Sequence, residues 1–206
     1  MNMMNKNNEI YQYWSSIYTD EILINALIEC ELNGFGRAYL HKSILPGHLQ
    51  KNIQEYFNNF LNYEKNGKGL YIFGKANTGK TIAVYMLAKN IFMIKNPLLL
   101  NLYNIRFVLY DDLVRLSLSD KSFSNLESII KLPDILILDN IGNEMGLYTQ
   151  ARSSVALLDN IIRNREMSGK LTWITTNVDI NNLSTIYTES INNIICRNYK
   201  LICSSI

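Results

Sequence analysis

Leu70-Tyr71-Ile72-Phe73-Gly74-Lys75-Ala76-Asn77-Thr78-Gly79-Lys80-Thr81 is the stretch from which the fold can be read. Four apolar residues closed by a glycine are too few for a helix and have the composition of a buried strand. The next eight, Gly74 to Thr81, satisfy G-x-x-x-x-G-K-[ST] in full. Glycines at the two ends let backbone N–H groups turn inward around a phosphate, where a Cβ would obstruct. A helix opening near Lys80 aims its positive dipole end at the same anion. Lys80 places a point charge between β- and γ-phosphates, and the Thr81 hydroxyl completes a Mg²⁺ shell. The spacing therefore predicts a site for ATP with Mg²⁺ made by Gly74, Lys75, Ala76, Asn77, Thr78, Gly79, Lys80 and Thr81.

Working outward, Ala83, Met86, Leu87, Ile91 and Ile94 recur at helical spacing after the loop. Arg106–Tyr110, Ile135–Leu138, Leu171–Thr175 and Leu201–Cys203 read as further strands. Helices are predicted between them around Leu113–Leu118, Phe123–Ile130 and Val155–Ile162, the second stopped by Pro133. Upstream, Tyr11–Leu32 has a loose helical pattern broken by Gly34 and Gly36. A second amphipathic helix follows Gly47 through Leu49, Ile53, Phe57, Phe60 and Leu61, ending near Asn66-Gly67. Strands alternating with helices predict an α/β fold of the P-loop type, a mostly parallel five-stranded sheet covered on both faces.

Asp139 closes the apolar run Ile135–Leu138. A carboxylate at the C-terminal edge of a buried strand can hold Mg²⁺ through water opposite Thr81, or it can simply end the strand. P-loop ATPases with an additional central strand usually carry Asp or Glu next, to polarise the attacking water. Here the residue is Asn140, which orients a water but cannot take its proton. Glu144 one turn on, or bulk water, is then the base, or hydrolysis is slow and the site is a switch. Asn177, after the fourth strand, sits where the crevice of a parallel sheet opens, as a γ-phosphate contact or as ordinary turn chemistry. Arg197 suits transition-state charge stabilisation by its planar fork, but the residue taken alone favours a surface ion pair.

Bulk composition narrows the class. At 206 residues, 48% hydrophobic and 18% charged, the chain can bury one sizeable core. A net charge of +2 gives no whole-protein argument for nucleic acid, so any such contact needs a local patch. Cys30, Cys196 and Cys203 are widely spaced and odd in number, a poor disulfide or zinc framework. They are expected to be core thiols in a reducing cytoplasm. No apolar run approaches the roughly 18 residues of a membrane helix, and the polar start lacks a secretory signal, so no membrane partner is expected.

Together these segments resemble the DnaC-type bacterial replicative helicase loaders and the related IstB-type transposition ATPases, within the AAA+ class. The residues that carry the resemblance are Asn66–Gly74 leading into the phosphate loop, Leu136–Glu144, Ile174–Asn177, Arg197, and Phe35–Leu40 at the entry to the core. It spans roughly residues 35–203. The resemblance implies a three-layer αβα AAA+ domain over residues 35–206, preceded by a short helical extension, 1–34, that serves as a partner-binding hook or packs on the core through Tyr11, Tyr13, Trp14 and Tyr18. It implies Asn177 as a sensor and Arg197 as a finger acting on a neighbouring protomer, hence a nucleotide-dependent homo-oligomer. It implies a hexameric replicative DNA helicase and single-stranded DNA as partners, with Arg115 and Lys121 as candidate DNA contacts. A transposition helper and an ATP-switched adaptor are the alternatives. No C-terminal helical lid is expected in the stretch up to Ile206.

Overall fold

In this computed structural model, residues 3–42, 44–94, 103–118, 123–142 and 151–204 are described. Two helices open the chain, α1 (Met3–Ser15) and α2 (Glu21–Leu32), followed by the single turn α3 (Arg37–Leu40). Then come α4 (Gly47–Asn58), α5 (Phe60–Lys65), β1 (Gly69–Phe73), α6 (Lys80–Ile94), β2 (Ile105–Leu109), α7 (Tyr110–Ser117), α8 (Phe123–Lys131), β3 (Ile135–Ile141), α9 (Ala151–Met167) and β4 (Leu171–Thr176). A short 3-10 turn at Ile180–Asn182, α10 (Leu183–Ile186), α11 (Glu189–Asn198) and β5 (Tyr199–Cys203) complete it.

The five strands form one sheet in the order β2-β3-β4-β1-β5, every pairing parallel. Because side chains alternate along a strand, each strand feeds both faces. Leu70, Ile72, Ile135, Ile137, Leu171 and Trp173 join a core with α2, α4 and α6. Tyr71, Phe73, Leu136, Leu138 and Ile174 face the other way, with α7, α9 and α11. Burial on both faces explains why these strands read as unbroken apolar runs. The expected α/β architecture is present, and its sheet is wholly parallel.

The structure departs from the sequence pattern at three places. The helical pattern Tyr11–Leu32 is two helices, because the Asp20 side chain caps a new start by accepting from the N–H groups of Ile22 and Leu23. The helix after Gly47 is likewise broken at Asn59, whose backbone leaves helical geometry (φ −103°, ψ 10°). Cys196 and Cys203 are exposed rather than core thiols; only Cys30 is buried. Cys203 lies on a sheet edge and Cys196 on the outer side of α11, so neither faces an apolar layer.

The N-terminal helices share the main core. Ile10, Trp14, Ile24 and Leu27 are buried with α6, and the Trp14 indole donates to Glu31 Oε2 at 3.0 Å. Arg37 also donates to that carboxylate and lies 4.1 Å over the Tyr13 ring. The junction after α2 fits against the outer edge of β2, where the Phe107 N–H donates to Asn33 O. Gly34 is required there: its φ is +96°, and a Cβ would come within 2.6 Å of Phe107 O.

One buried cation holds the opposite end of the sheet. Arg165 on α9 is 2% exposed and donates to Thr172 Oγ1 and to the carbonyls of Ile130, Pro133, Asp134 and Leu171. Burial pushes its guanidinium down to about 10, so it stays charged at neutral pH. It ties the end of α8 to the starts of β3 and β4.

Candidate phosphate and metal site

β1 ends at Phe73 and the chain turns sharply through Gly74 (φ +140°) and Gly79 (φ +93°), with Asn77 also left-handed (φ +62°). Asparagine is among the few residues with a Cβ that enter this region readily. Lys80 then starts α6, so the first N–H groups of that helix close the loop. A cleft of about 1090 Å³ opens here at the C-terminal edge of the sheet. It is lined by Ala76–Thr81, by Tyr39 and Tyr85 on one wall, and by Asp139, Asn140, Thr175 and Asn177 on the other.

Lys80 is buried, at 8% exposure, and its ammonium donates to Gly74 O at 2.9 Å and Lys75 O at 2.6 Å. Burial holds it below the ordinary lysine range, with the Asp139 charge opposing that shift. Both acceptors are neutral carbonyls, so a polyphosphate is a better partner than those the ammonium now has.

The Thr81 hydroxyl donates to Asp139 at 2.9 Å (Oδ1) and 3.2 Å (Oδ2). Residues 58 positions apart in sequence thus meet beneath the loop. Thr175 on β4 also donates to Asp139 Oδ1, and its oxygen accepts the Asn140 N–H at 3.1 Å. Thr175 reads from sequence only as a strand end; the polar run Thr175-Thr176-Asn177 directly after Trp173-Ile174 is the available signal. Burial pushes the Asp139 carboxyl above the usual aspartate range, opposed by the two hydroxyls and by Lys80. One hydroxyl and one carboxylate suit Mg²⁺, which keeps most of its shell as water and phosphate oxygen. Among the described residues no cluster of three or more His, Cys, Asp or Glu offers another metal site.

Asn140 has a backbone reason for its identity. β3 and β4 lose register between Leu138 and Ile141, where three residues on β3 span two on β4. The extra residue is accommodated by a bulge with Asn140 at φ +67°. The bulge turns Asp139 toward Thr81 and Thr175, and asparagine tolerates the left-handed position better than the longer glutamate does.

Asn177 follows β4, exposed on the cleft wall. Arg197 is elsewhere. β5 runs parallel to β1 with Gly69 opposite Tyr199 and Phe73 opposite Cys203, so Arg197 lies at the edge of the sheet away from this chain's own loop. Its side chain is 70% exposed and pairs with Glu166 at 3.0 Å, the surface ion pair expected of this arginine taken alone. Arg115 is ion-paired with Asp111 at 2.9 Å. Glu144 and Lys121 lie outside the described residues.

The same architecture occurs in solved structures. DnaI matches with a TM-score of 0.66 and 20% identity, over 82% of this chain and 94% of that one. The DnaC helicase loader matches with a TM-score of 0.63 and 25% identity, over 82% and 99%. In its structure the chain resembles the DnaC-type loaders. A replication initiator, DnaA bound to AMPPCP and single-stranded DNA, shares the fold more loosely, at a TM-score of 0.59 and 15% identity over 83% of this chain and 51% of that one. No protein-family model and no curated protein matches the sequence. The loader-like fold is that of P-loop AAA+ proteins, and no helix among the described residues is long and apolar enough to cross a membrane.

Asp139→Asn tests the metal assignment. The variant keeps an oxygen for Thr81 and Thr175 but loses the charge. Magnesium affinity in the presence of ATP should fall by about 10- to 100-fold, read by titrating Mg²⁺ against nucleotide-dependent heat. The folded carboxyl binds its proton more tightly than an unfolded aspartate. Its ionisation therefore costs stability, a cost absent at low pH and reached as pH rises through the folded pKa. The variant should accordingly melt no lower than wild type at neutral pH without metal. In wild type, Mg²⁺ binding should weaken on acidification at higher pH than an ordinary aspartate would give.

Proposed function

We propose that the chain binds ATP with Mg²⁺ at the Gly74–Thr81 loop and uses it to load a hexameric replicative DNA helicase onto single-stranded DNA. The observation that carries this reading is the meeting of Thr81 and Asp139 beneath the loop, on a fold that covers 99% of the DnaC helicase loader. Lys80 would hold the β- and γ-phosphates, Thr81 would ligate the metal directly, and Asp139 would hold it through water. Asn177 would contact the γ-phosphate from the facing wall. The AMPPCP and single-stranded DNA carried by the DnaA of like fold support the choice of ligands.

Arg197 would act in trans. Its exposure and its place at the far edge of the sheet suit contact with a neighbouring copy's nucleotide, which makes a nucleotide-dependent homo-oligomer part of the reading. Residues 1–34 would present the partner surface ahead of the ATPase domain, 35–206. Trp14 is fully buried, so that surface would use outward residues such as Tyr11, Ile17 and Ile22. A second reading, slow hydrolysis with the site serving chiefly as a switch, is favoured by Asn140, whose amide cannot accept a proton from water.

The test is size-exclusion chromatography with the replicative helicase of the same source, with ATP, with ADP and without nucleotide. A stable complex that changes with nucleotide and transfers helicase to labelled single strands is expected. Absence of any complex, with ATP binding intact by calorimetry, rejects loading. Steady-state phosphate release near background, with tight ATP binding, would select the switch reading.

A further inference from the structure

We infer that Ser204 is a positioning residue for the phosphate loop, acting through Thr78. The inference rests on the nucleotide-binding reading above and adds the group that holds the loop in shape. Ser204 follows β5 and is 1% exposed. Its N–H donates to Phe73 O, the last carbonyl of β1, at 2.7 Å. Its hydroxyl lies 2.5 Å from Thr78 Oγ1 and 3.0 Å from Phe73 O. Its own carbonyl accepts from His48 Nε2, in the first turn of α4, at 2.9 Å.

The protons give this cluster a direction. Thr78 Oγ1 also lies 2.9 Å from Lys75 O. Two hydroxyls therefore carry two protons for three contacts: Lys75 O, Phe73 O and each other. Phe73 O already has the Ser204 N–H. Once the Lys80 ammonium, which also serves Lys75 O, turns to a phosphate, the assignment that puts a proton in the hydroxyl–hydroxyl contact and leaves no carbonyl short sends the Ser204 proton to Thr78 and the Thr78 proton to Lys75 O. The chain runs one way, from the end of β5 into the loop.

Lys75 O is shared, because it also accepts the Lys80 ammonium at 2.6 Å. A polyphosphate in the loop competes for that ammonium. Once Lys80 turns to phosphate, the Thr78 hydroxyl still holds the Lys75 carbonyl away from the anion, and Ser204 fixes that hydroxyl's orientation. A loop set in advance binds without the cost of ordering at the moment of binding. Through the carbonyl that His48 caps, the same residue joins the loop to the start of α4, whose Leu49, with Leu45 and Pro46 before the helix, lies against Gly79.

The test uses the full chain and calorimetric titration with Mg²⁺-ATP, alongside melting temperatures without nucleotide. Ser204→Ala and Thr78→Val should each weaken affinity roughly fivefold to tenfold, the worth of one hydrogen bond. The double variant should be no weaker than the weaker single one, since both remove the same chain. Thr78→Ser, which keeps the oxygen, should recover most of the affinity that Thr78→Val loses. Wild-type affinity in either Ser204→Ala or Thr78→Val overturns the inference, as do effects that multiply in the double variant. A lowered melting temperature with unchanged affinity also overturns it, because that is all a purely structural cap would give. Should Ser204→Ala not fold, the Thr78→Val and Thr78→Ser pair decides alone. Wild-type protein that binds no nucleotide removes the nucleotide reading itself, a failure visible before any variant is made.

Discussion

Lys80→Ala should weaken Mg²⁺-ATP binding by about 100-fold or more, read by calorimetry on the folded protein. The ammonium makes charge-assisted contacts, each on the order of 1.5–3 kcal/mol, and two of them to a triphosphate exceed two decades in affinity. The loss should come without loss of fold. The ammonium donates to two carbonyls, and burial holds its pKa low despite the opposing Asp139 charge. A base whose folded pKa is depressed costs stability while charged, and that cost fades only as pH rises through the folded value. Alanine removes the cost, so the variant should melt at or above the wild-type temperature. Nucleotide-induced stabilisation should vanish with the affinity. Wild-type affinity in this variant would refute the phosphate-loop assignment.

Arg165→Ala should be the most damaging single change to the fold, costing roughly 3–5 kcal/mol in urea unfolding. Its guanidinium serves five acceptors, four of them main-chain carbonyls at the ends of α8, β3 and β4. Asp134 O keeps the Leu171 N–H, but alanine would remove the guanidinium from the other carbonyls, at about 1–3 kcal/mol for each left unmet. Lysine would not rescue, because an ammonium cannot spread donors over a plane as a guanidinium does. The residue is far from the cleft, so nucleotide affinity measured below the unfolding transition should be retained. Near wild-type stability would show that water replaces the lost donors.

What the sequence made legible follows from distance along the chain. The loop was readable because its chemistry is local: eight consecutive residues specify turn, helix start and charge. The strands were readable because both faces of the sheet are buried, so each is a short apolar run between turn residues. Asp139 was legible as a carboxylate after an apolar run, and it meets Thr81 from within β3, which continues to Ile141. The second hydroxyl on Asp139, that of Thr175, was not legible, because only the β3–β4 pairing brings the two together. The bulge that forces Asn140 into left-handed geometry leaves no periodic trace. Arg165 looked like any surface arginine on a helix, since its acceptors are carbonyls, which sequence does not distinguish. Arg197 was legible as an arginine after a helix, but its ion pair with Glu166 and its distance from the loop required the topology.

The strand order also governs how the chain comes to be assembled. β1 lies between β4 and β5, and Phe73 meets Ser204 from 131 positions away. During synthesis the strand that carries the loop must therefore wait, apolar and without neighbours, until both later strands have left the ribosome. Long-range parallel pairing of this kind is slow to form and prone to self-association meanwhile. A nascent chain interrupted before residue 199 lacks the strand that pairs with one edge of β1, and the backbone donors and acceptors of Gly69–Phe73 on that side stay open to other strands.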